Sequence, residues 1–292
     1  MEFEKVYEDF EKRYEKKCDF AFFAGMPIIF FKSPELELGC ALSIGGYAAA
    51  RRRADERVVV QFSDSTDFVT VNLSEREKSR RGTVCGAFYE AYEKGILNNG
   101  AEILFRYNTS LYRPDNAMMI KLAEEISGEK TVDLCSDVAL GFYSRQNHVT
   151  AFDGGKPFYY PFPDNLVKII ISDWGERKQP ADLCLSEFCE KGVSALEKGD
   201  YEKLGVILNE QTKEVLSGDK SAFCEAFEIT KIYGDAYGSG VCRDGKLYSV
   251  VPNSSVDMFI FNFSREFKNR IGGKPRFYIT RAEDCGILYL PD

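Results

Sequence analysis

The side chains in this sequence that could carry chemistry are a few carboxylates, one histidine, nine cysteines, one run of three arginines and the lone Arg113. Asp137 lies in Leu134-Cys135-Ser136-Asp137, which reads as a short helix. A lone Asp in such a place is most commonly a surface or capping carboxylate. Asp153 follows a strand at Val149–Phe152, and Asp173 follows Leu166–Ser172 and precedes Trp174. A tryptophan at a strand end either stacks on a ligand or belongs to a core or lobe interface. Arg113, in the polar connection Tyr107–Asp115, either binds an anion or forms a surface pair with Asp115. Arg51-Arg52-Arg53 reads as a solvated strand end, with a phosphate contact as the alternative.

The cysteines fall at 18, 40, 85, 135, 184, 189, 224, 242 and 285, never two residues apart from a partner as C-x-x-C. With His148 as the one histidine, they offer no Cys/His zinc spacing, and no metal site is expected. Met1 to Lys17 is acidic and amphipathic rather than a secretory leader, so disulfides are not expected either. The longest apolar stretches, such as Phe20–Phe31, fall short of the roughly 20 residues of a membrane span. A net charge of -8 and a pI near 5.1 argue against nucleic-acid and anionic-membrane partners. These features describe a reduced, cytoplasmic, soluble protein.

The elements that must hold these residues can be read from periodicity. Phe3, Val6, Tyr7, Phe10 and Tyr14 recur at helical spacing. Strands are expected at Ala41–Ala50, Arg57–Phe62, Phe68–Leu73 and Glu102–Arg106, and a helix around Val84–Leu97. Asp115 is placed as the N-cap of a helix that ends at Gly128. From Gln179 to about Thr230 the chain turns helical, acidic and lysine-rich, and a lobe boundary is placed near Gln179-Pro180. Beyond it come a strand at Lys246–Val251, a helix at Ser255–Arg270, and strands at Arg276–Thr280 and Gly286–Leu290. The sum is an α+β protein with lobes at residues 1–178 and 179–292.

Several stretches, in colinear order, resemble galactokinase and the wider GHMP small-molecule kinase superfamily. Cys40-Ala41-Leu42-Ser43-Ile44-Gly45-Gly46-Tyr47 is similar to the strand after that family's sugar-binding loop. Glu197–Gly205 is similar to its G-D-Y-x-x-F-G, and Phe277–Asp284 to its final F-Y-x-x-x-A-x-D. His148, Val149 and Asp153 keep the family's separation from Asp137. The resemblance implies a two-lobed GHMP-kinase-like fold, an N-terminal lobe of sheet and helices and a C-terminal ferredoxin-like lobe. It implies ATP and Mg as cofactors if the chain is active, and makes Asp137 the catalytic carboxylate. Asp153, Asp173 and Trp174 would then lie toward the substrate, and Asn108, Ser110 and Arg113 toward the nucleotide.

The departures fall on the chemistry. Phe22-Phe23-Ala24 starts as the family's F-x-A-P-G-R-V-N-L-I-G-E-H-x-D-Y does, but Pro27 stands where the catalytic arginine belongs, and Ser33-Pro34 where the sugar-binding Glu-His belongs. Proline offers neither charge nor a side-chain donor to a transferring phosphoryl group. Glu35 or Glu37 would replace a sugar contact only after a shift of register. Where the family has its glycine-rich phosphate loop, Tyr107 to Asp115 contains no glycine. The family's third motif corresponds to Tyr237–Gly245, whose Asp244-Gly245 reads better as a hairpin turn. Three readings follow. One is a degenerate galactokinase-like protein, without ATP, in a binding or regulatory role. The second is an active, divergent sugar kinase, and the third a structural dimerisation module. A small-molecule sugar or a protein is the expected partner, and the oligomeric state is left open.

Overall fold

The computed structural model describes residues 2–66, 68–75, 85–111, 113–128, 143–153, 156–177, 186–219, 221–232, 235–242 and 244–286. Packing divides the chain into two units. One is Met1–Met26 with Ile44–Tyr143 and Asp284–Asp292, the other Pro27–Ser43 with Ser144–Glu283. Strands β1 (Phe20–Lys32) and β2 (Leu36–Arg52) contribute residues to both. The packing division therefore does not follow the compositional boundary placed at residues 178 and 179. Composition changes along the chain, whereas packing follows strand pairing.

The first unit adds helix α1 (Glu2–Tyr14), strands β3 (Arg57–Phe62) and β4 (Phe68–Asn72), helix α2 (Gly86–Glu93), strand β5 (Ala101–Tyr107) and helix α3 (Asp115–Ser127). Its strands lie in the order β4-β3-β5-β2. β3 and β4 form an antiparallel hairpin, and β3 pairs in parallel with β5 through the α2 crossover. Alternate residues of β5 serve opposite faces, as strand geometry requires. Ile103 and Phe105 join Val58, Val60, Phe88, Met118 and Leu122 in the core under α2 and α3. Leu104 joins Ala49, Val6 and Phe10 under α1. Helix α1 is fastened at its end by Tyr14, whose hydroxyl donates to Ile103 O at 2.8 Å.

Two expectations are refined here. The three arginines do end a strand, but Arg51 and Arg53 both bind buried Glu102, at 2.9 and 2.7 Å, so they are structural rather than merely solvated. Helix α3 begins at Asp115 and its N-cap is Pro114, so Asp115 is not the cap. Proline has no N–H to leave unsatisfied at that point. Gly128 does terminate the helix, with φ of 76°.

The second unit contains β6 (His148–Asp153), β7 (Lys156–Pro161), β8 (Val167–Asp173), α4 (Ser186–Glu197), α5 (Tyr201–Val215), α6 (Ala222–Ile232), β9 (Gly238–Val241), β10 (Leu247–Pro252), α7 (Val256–Arg270) and β11 (Arg276–Thr280). β8 to β11 make a four-stranded antiparallel sheet in the order β11-β8-β10-β9. Strand, helices, two strands, helix and strand in that order give the split βαβ arrangement of ferredoxin-like sheets. Ile170, Leu247 and Val251 pack beneath Phe223 and Phe227 of α6 and Phe259, Phe263 and Phe267 of α7. The Asp244-Gly245 turn is present, with Gly245 at φ 82° and its N–H donating to Cys242 O at 2.8 Å. The last expected strand, 286–290, lies outside the described residues from 287 onward.

The stretches that carry the resemblance hold this unit together. Asp200 caps α5 by accepting from Lys203 N at 2.9 Å. Tyr201 donates to Pro161 O at 3.1 Å. Gly205 lies so close to β9 that a Cβ there would meet the Tyr237 carbonyl at 2.1 Å. Ala282 bridges to Leu42, and Glu283 N donates to Ala41 O at 2.9 Å.

Candidate functional site

In the first unit, the connection from β5 to α3 carries Asn108, Ser110 and Arg113, and the chain brings these three together by proximity in sequence. Their side chains are turned to different tasks. Asn108 closes on Gly45 of β2: its N–H donates to Gly45 O at 3.1 Å, and its Oδ1 accepts from Gly45 N at 2.7 Å. Gly45 is also pressed against β1, where a Cβ would lie 2.1 Å from Ala24 O. Thr109 Oγ1 accepts from Leu111 N at 3.0 Å, a local turn that tightens the loop. Arg113 lays its guanidinium 4.3 Å from the Tyr107 ring centre and 5.0 Å from that of Phe62, while the two rings stack on each other. Ser110 is exposed. No described residue between Tyr107 and Pro114 has positive φ, the conformation that a phosphate-cradling loop uses.

In the second unit, the turn between β1 and β2 is a tight hairpin. Ser33 N donates to Leu36 O at 2.7 Å, and Ser33 Oγ accepts from Leu36 N at 2.9 Å. Ser33 and Pro34 are thereby part of a three-residue turn, and Pro27 lies within β1. Glu35 is exposed, while Glu37 is buried in β2 with Lys32 Nζ at 2.7 Å from Oε1.

The end of β8 carries Asp173 and Trp174. The Asp173 carboxylate accepts from Arg177 Nη1 at 2.7 Å and from Gly175 N at 3.1 Å. Burial pushes this carboxyl up, but the bonds to Arg177 and Gly175 and the charges of Arg177 and Lys246 outweigh it, so it lies below the ordinary value. Trp174 packs its indole 5.3 Å from both Phe223 and Phe267, which is the core position named above as its alternative role. Sequence reading did not single out Lys246, which is 3% exposed and paired with Asp244. Burial, together with repulsion from Arg177, moves its ammonium down. Its only sequence signal is a lysine directly after an Asp-Gly turn. The fully buried thiols of Cys40 and Cys242 are pushed up to about 12 by burial, which leaves them inert as nucleophiles near neutral pH.

Asp153 is exposed at the end of β6, opposite Leu36 on one side and Lys156 on the other. His148 opens the same strand, with Nδ1 2.7 Å from Gln146 O and its ring edge-on to Tyr159. Asp137 lies outside the described residues, as do Leu134, Cys135 and Ser136. Among the described residues, no three His, Cys, Asp or Glu side chains group as metal ligands. No described helix is long and apolar enough to cross a membrane.

No family model matches this sequence, and no curated protein matches it. Solved structures do. The galactokinase of Lactococcus lactis complexed with galactose superimposes with a TM-score of 0.75 at 13% identity, over 98% of this chain and 99% of that one. A homoserine kinase from Cytophaga hutchinsonii gives 0.59 at 11% identity, over 93% of this chain and 97% of that one. The mevalonate kinase of Methanococcus jannaschii gives 0.55 at 10% identity, over 90% and 98%. The chain therefore has the α+β fold of the GHMP small-molecule kinases. Within that fold class its likeness to galactokinase extends along nearly the whole chain.

Proposed function

We propose that this is a galactokinase-like protein that keeps the kinase fold without efficient ATP-dependent sugar phosphorylation and acts in a binding or regulatory role. One observation carries the reading: the connection where a phosphate loop would lie spends Asn108, Thr109 and Arg113 on contacts within the protein. Phosphoryl transfer depends on a backbone cradle and positive charge placed before the substrate arrives. This connection has no glycine to supply the cradle. ATP and Mg do not fit such a loop, and no step is assigned to them. The replacement of the family's arginine by Pro27 supports the same reading. A small-molecule sugar or a protein would then be the partner, in the cytoplasm.

The active reading makes Asp137 the catalytic carboxylate, Asn108, Ser110 and Arg113 nucleotide contacts, and Asp153, Asp173 and Trp174 substrate contacts. Thermal shift with Mg-ATP separates the two, because a ligand that binds only the folded state raises the midpoint by mass action. No rise is expected with Mg-ATP, with or without galactose. A clear ATP-dependent rise that is lost in Asp137→Ala would overturn the proposal in favour of an active kinase.

A further inference from the structure

Four strands stand at the ends of the two strand orders, and three of them are guarded against pairing further. β7 carries Pro157 and Pro161. β11 follows Pro275 and opens on Arg276. The edge of β9 is taken by α5: Ser239 N donates to Asn209 Oδ1 at 3.0 Å, and Thr212 Oγ1 donates to Ser239 O at 2.8 Å. Proline, charge and a covering helix are devices that keep a sheet edge from another chain. β4, Phe68-Val69-Thr70-Val71-Asn72, has none of them among the described residues. Phe68 is 63% exposed, and Val69 and Thr70 are exposed on opposite faces of the strand.

The backbone of β4 has groups to offer there. Leu73 N donates to Glu56 O at 3.0 Å, which continues the β3–β4 register and sets its alternation. Val69 and Val71 therefore turn their main-chain groups to β3, while Phe68 and Thr70 turn theirs outward. No described residue meets those outward groups. The offer ends at Asn72, whose carbonyl already accepts from Glu75 N at 3.1 Å.

We propose that β4 is a self-association edge: two copies of this chain join β4 to β4, antiparallel, about a two-fold axis. With free groups on Phe68 and Thr70 alone, one register satisfies both. Phe68 pairs with Thr70 of the second copy and Thr70 with its Phe68, each pair exchanging both main-chain hydrogen bonds, and Val69 meets Val69 of the second copy on the axis. The side chains make the strand complementary to itself. Aromatic with β-branched, and β-branched with β-branched, are favourable cross-strand pairs. Phe68 to Leu73 contains no charged residue, so copies with a net charge of -8 set no like charges opposite each other within the strand pair. An isologous contact needs this self-complementarity, whereas a different partner would not. The contact is short, which places the dimer in the weak, concentration-dependent class.

The experiment is sedimentation equilibrium over a dilution series, with wild type, Val69→Lys, Val69→Glu and Thr70→Pro. The wild type dimerises as concentration rises. V69K and V69E each set like charges opposite each other on the axis and raise the dimer Kd by about tenfold or more, while their equimolar mixture regains it by pairing opposite charges. Thr70→Pro removes an outward N–H without touching the bonds to β3, and weakens the dimer likewise. Should the proline variant fail to fold, the exposed position of Val69 keeps the charge pair decisive. Three results overturn the inference: a wild type that stays monomeric, which would leave the edge to an extended segment of a different protein; a dimer unchanged in all variants, which would place the contact on another face; or a mixture of V69K and V69E no tighter than either alone. The inference goes beyond the proposed function and stands apart from it: a positive Mg-ATP shift would sink that function and leave the dimer, and a monomeric wild type would do the reverse.

Discussion

The contact between α5 and β9 and the connection between β5 and α3 both stand where a GHMP kinase motif would fall, yet they treat their residues oppositely. At α5 the motif-like residues keep their types because packing demands them: Asp200 caps the helix, Tyr201 reaches Pro161 O, and Gly205 lets the helix backbone touch the strand. At the β5–α3 connection the types have changed, and the new side chains satisfy one another and Gly45. Resemblance at α5 is thus resemblance in what the fold needs. It carries no information about catalysis, and the function proposed above rests on the β5–α3 connection instead.

The comparison breaks most decisively at Gly205. A Cβ there would lie 2.1 Å from both C and O of Tyr237 and 2.7 Å from Gly238 N, all backbone atoms that no rotamer change can move. Alanine inside a helix gains about 1 kcal/mol in propensity over glycine. Overpacking against backbone outweighs this, and Gly205→Ala should destabilise by about 3 kcal/mol net. Urea denaturation measures it, and a midpoint equal to the wild type would show that α5 and β9 need no such contact.

Asn108→Ala tests the other region with a smaller expected effect. Removing Oδ1 leaves Gly45 N–H without its acceptor, at a cost of about 1–2 kcal/mol. If Asn108 were instead held for a nucleotide, stability would hardly change and Mg-ATP binding would fall. A lowered urea midpoint with no effect on Mg-ATP is the expected result.

The same contrast explains what could be read from the sequence. Helix α1 was legible because Val6, Phe10 and Tyr14 keep helical spacing and all meet one core. β8 was legible because Ile169, Ile170 and Ile171 form a short β-branched run, buried on both faces. β1 was read only as an apolar stretch, since nearly every one of its residues is buried and it shows no alternation. β7 escaped notice because it is short, is bracketed by Pro157 and Pro161, and lies at the end of its sheet. At the candidate site, the absence of glycine between Tyr107 and Asp115 could be seen directly. The destinations of the side chains could not: Arg113 rests on Phe62, far away in sequence, and Asn108 reaches back to Gly45. Partners of that kind are set by the fold, and local pattern does not contain them.

The end of β8 stands between the two extremes, because Asp173 is engaged by Arg177 but stays close to solvent, and it provides the finest test. Its carboxyl lies below the ordinary value despite the opposing effect of burial. A carboxyl depressed on folding adds stability above its unfolded value, about 3.9, and loses it as pH falls through the folded value. Arg177 supplies much of that depression, but its side chain is 42% exposed, so solvent screening limits the pair to less than about 1 kcal/mol. Arg177→Gln should therefore lower the urea midpoint slightly at pH 6, and the gap from wild type should close as pH drops below about 4. Loss of Arg177 also relieves the repulsion on the Lys246 ammonium, which offsets part of the cost at pH 6 and keeps the gap small. A gap that persists unchanged to pH 2 would mean that Arg177 acts through packing, and that Asp173 is held by Gly175 N–H and Lys246 alone.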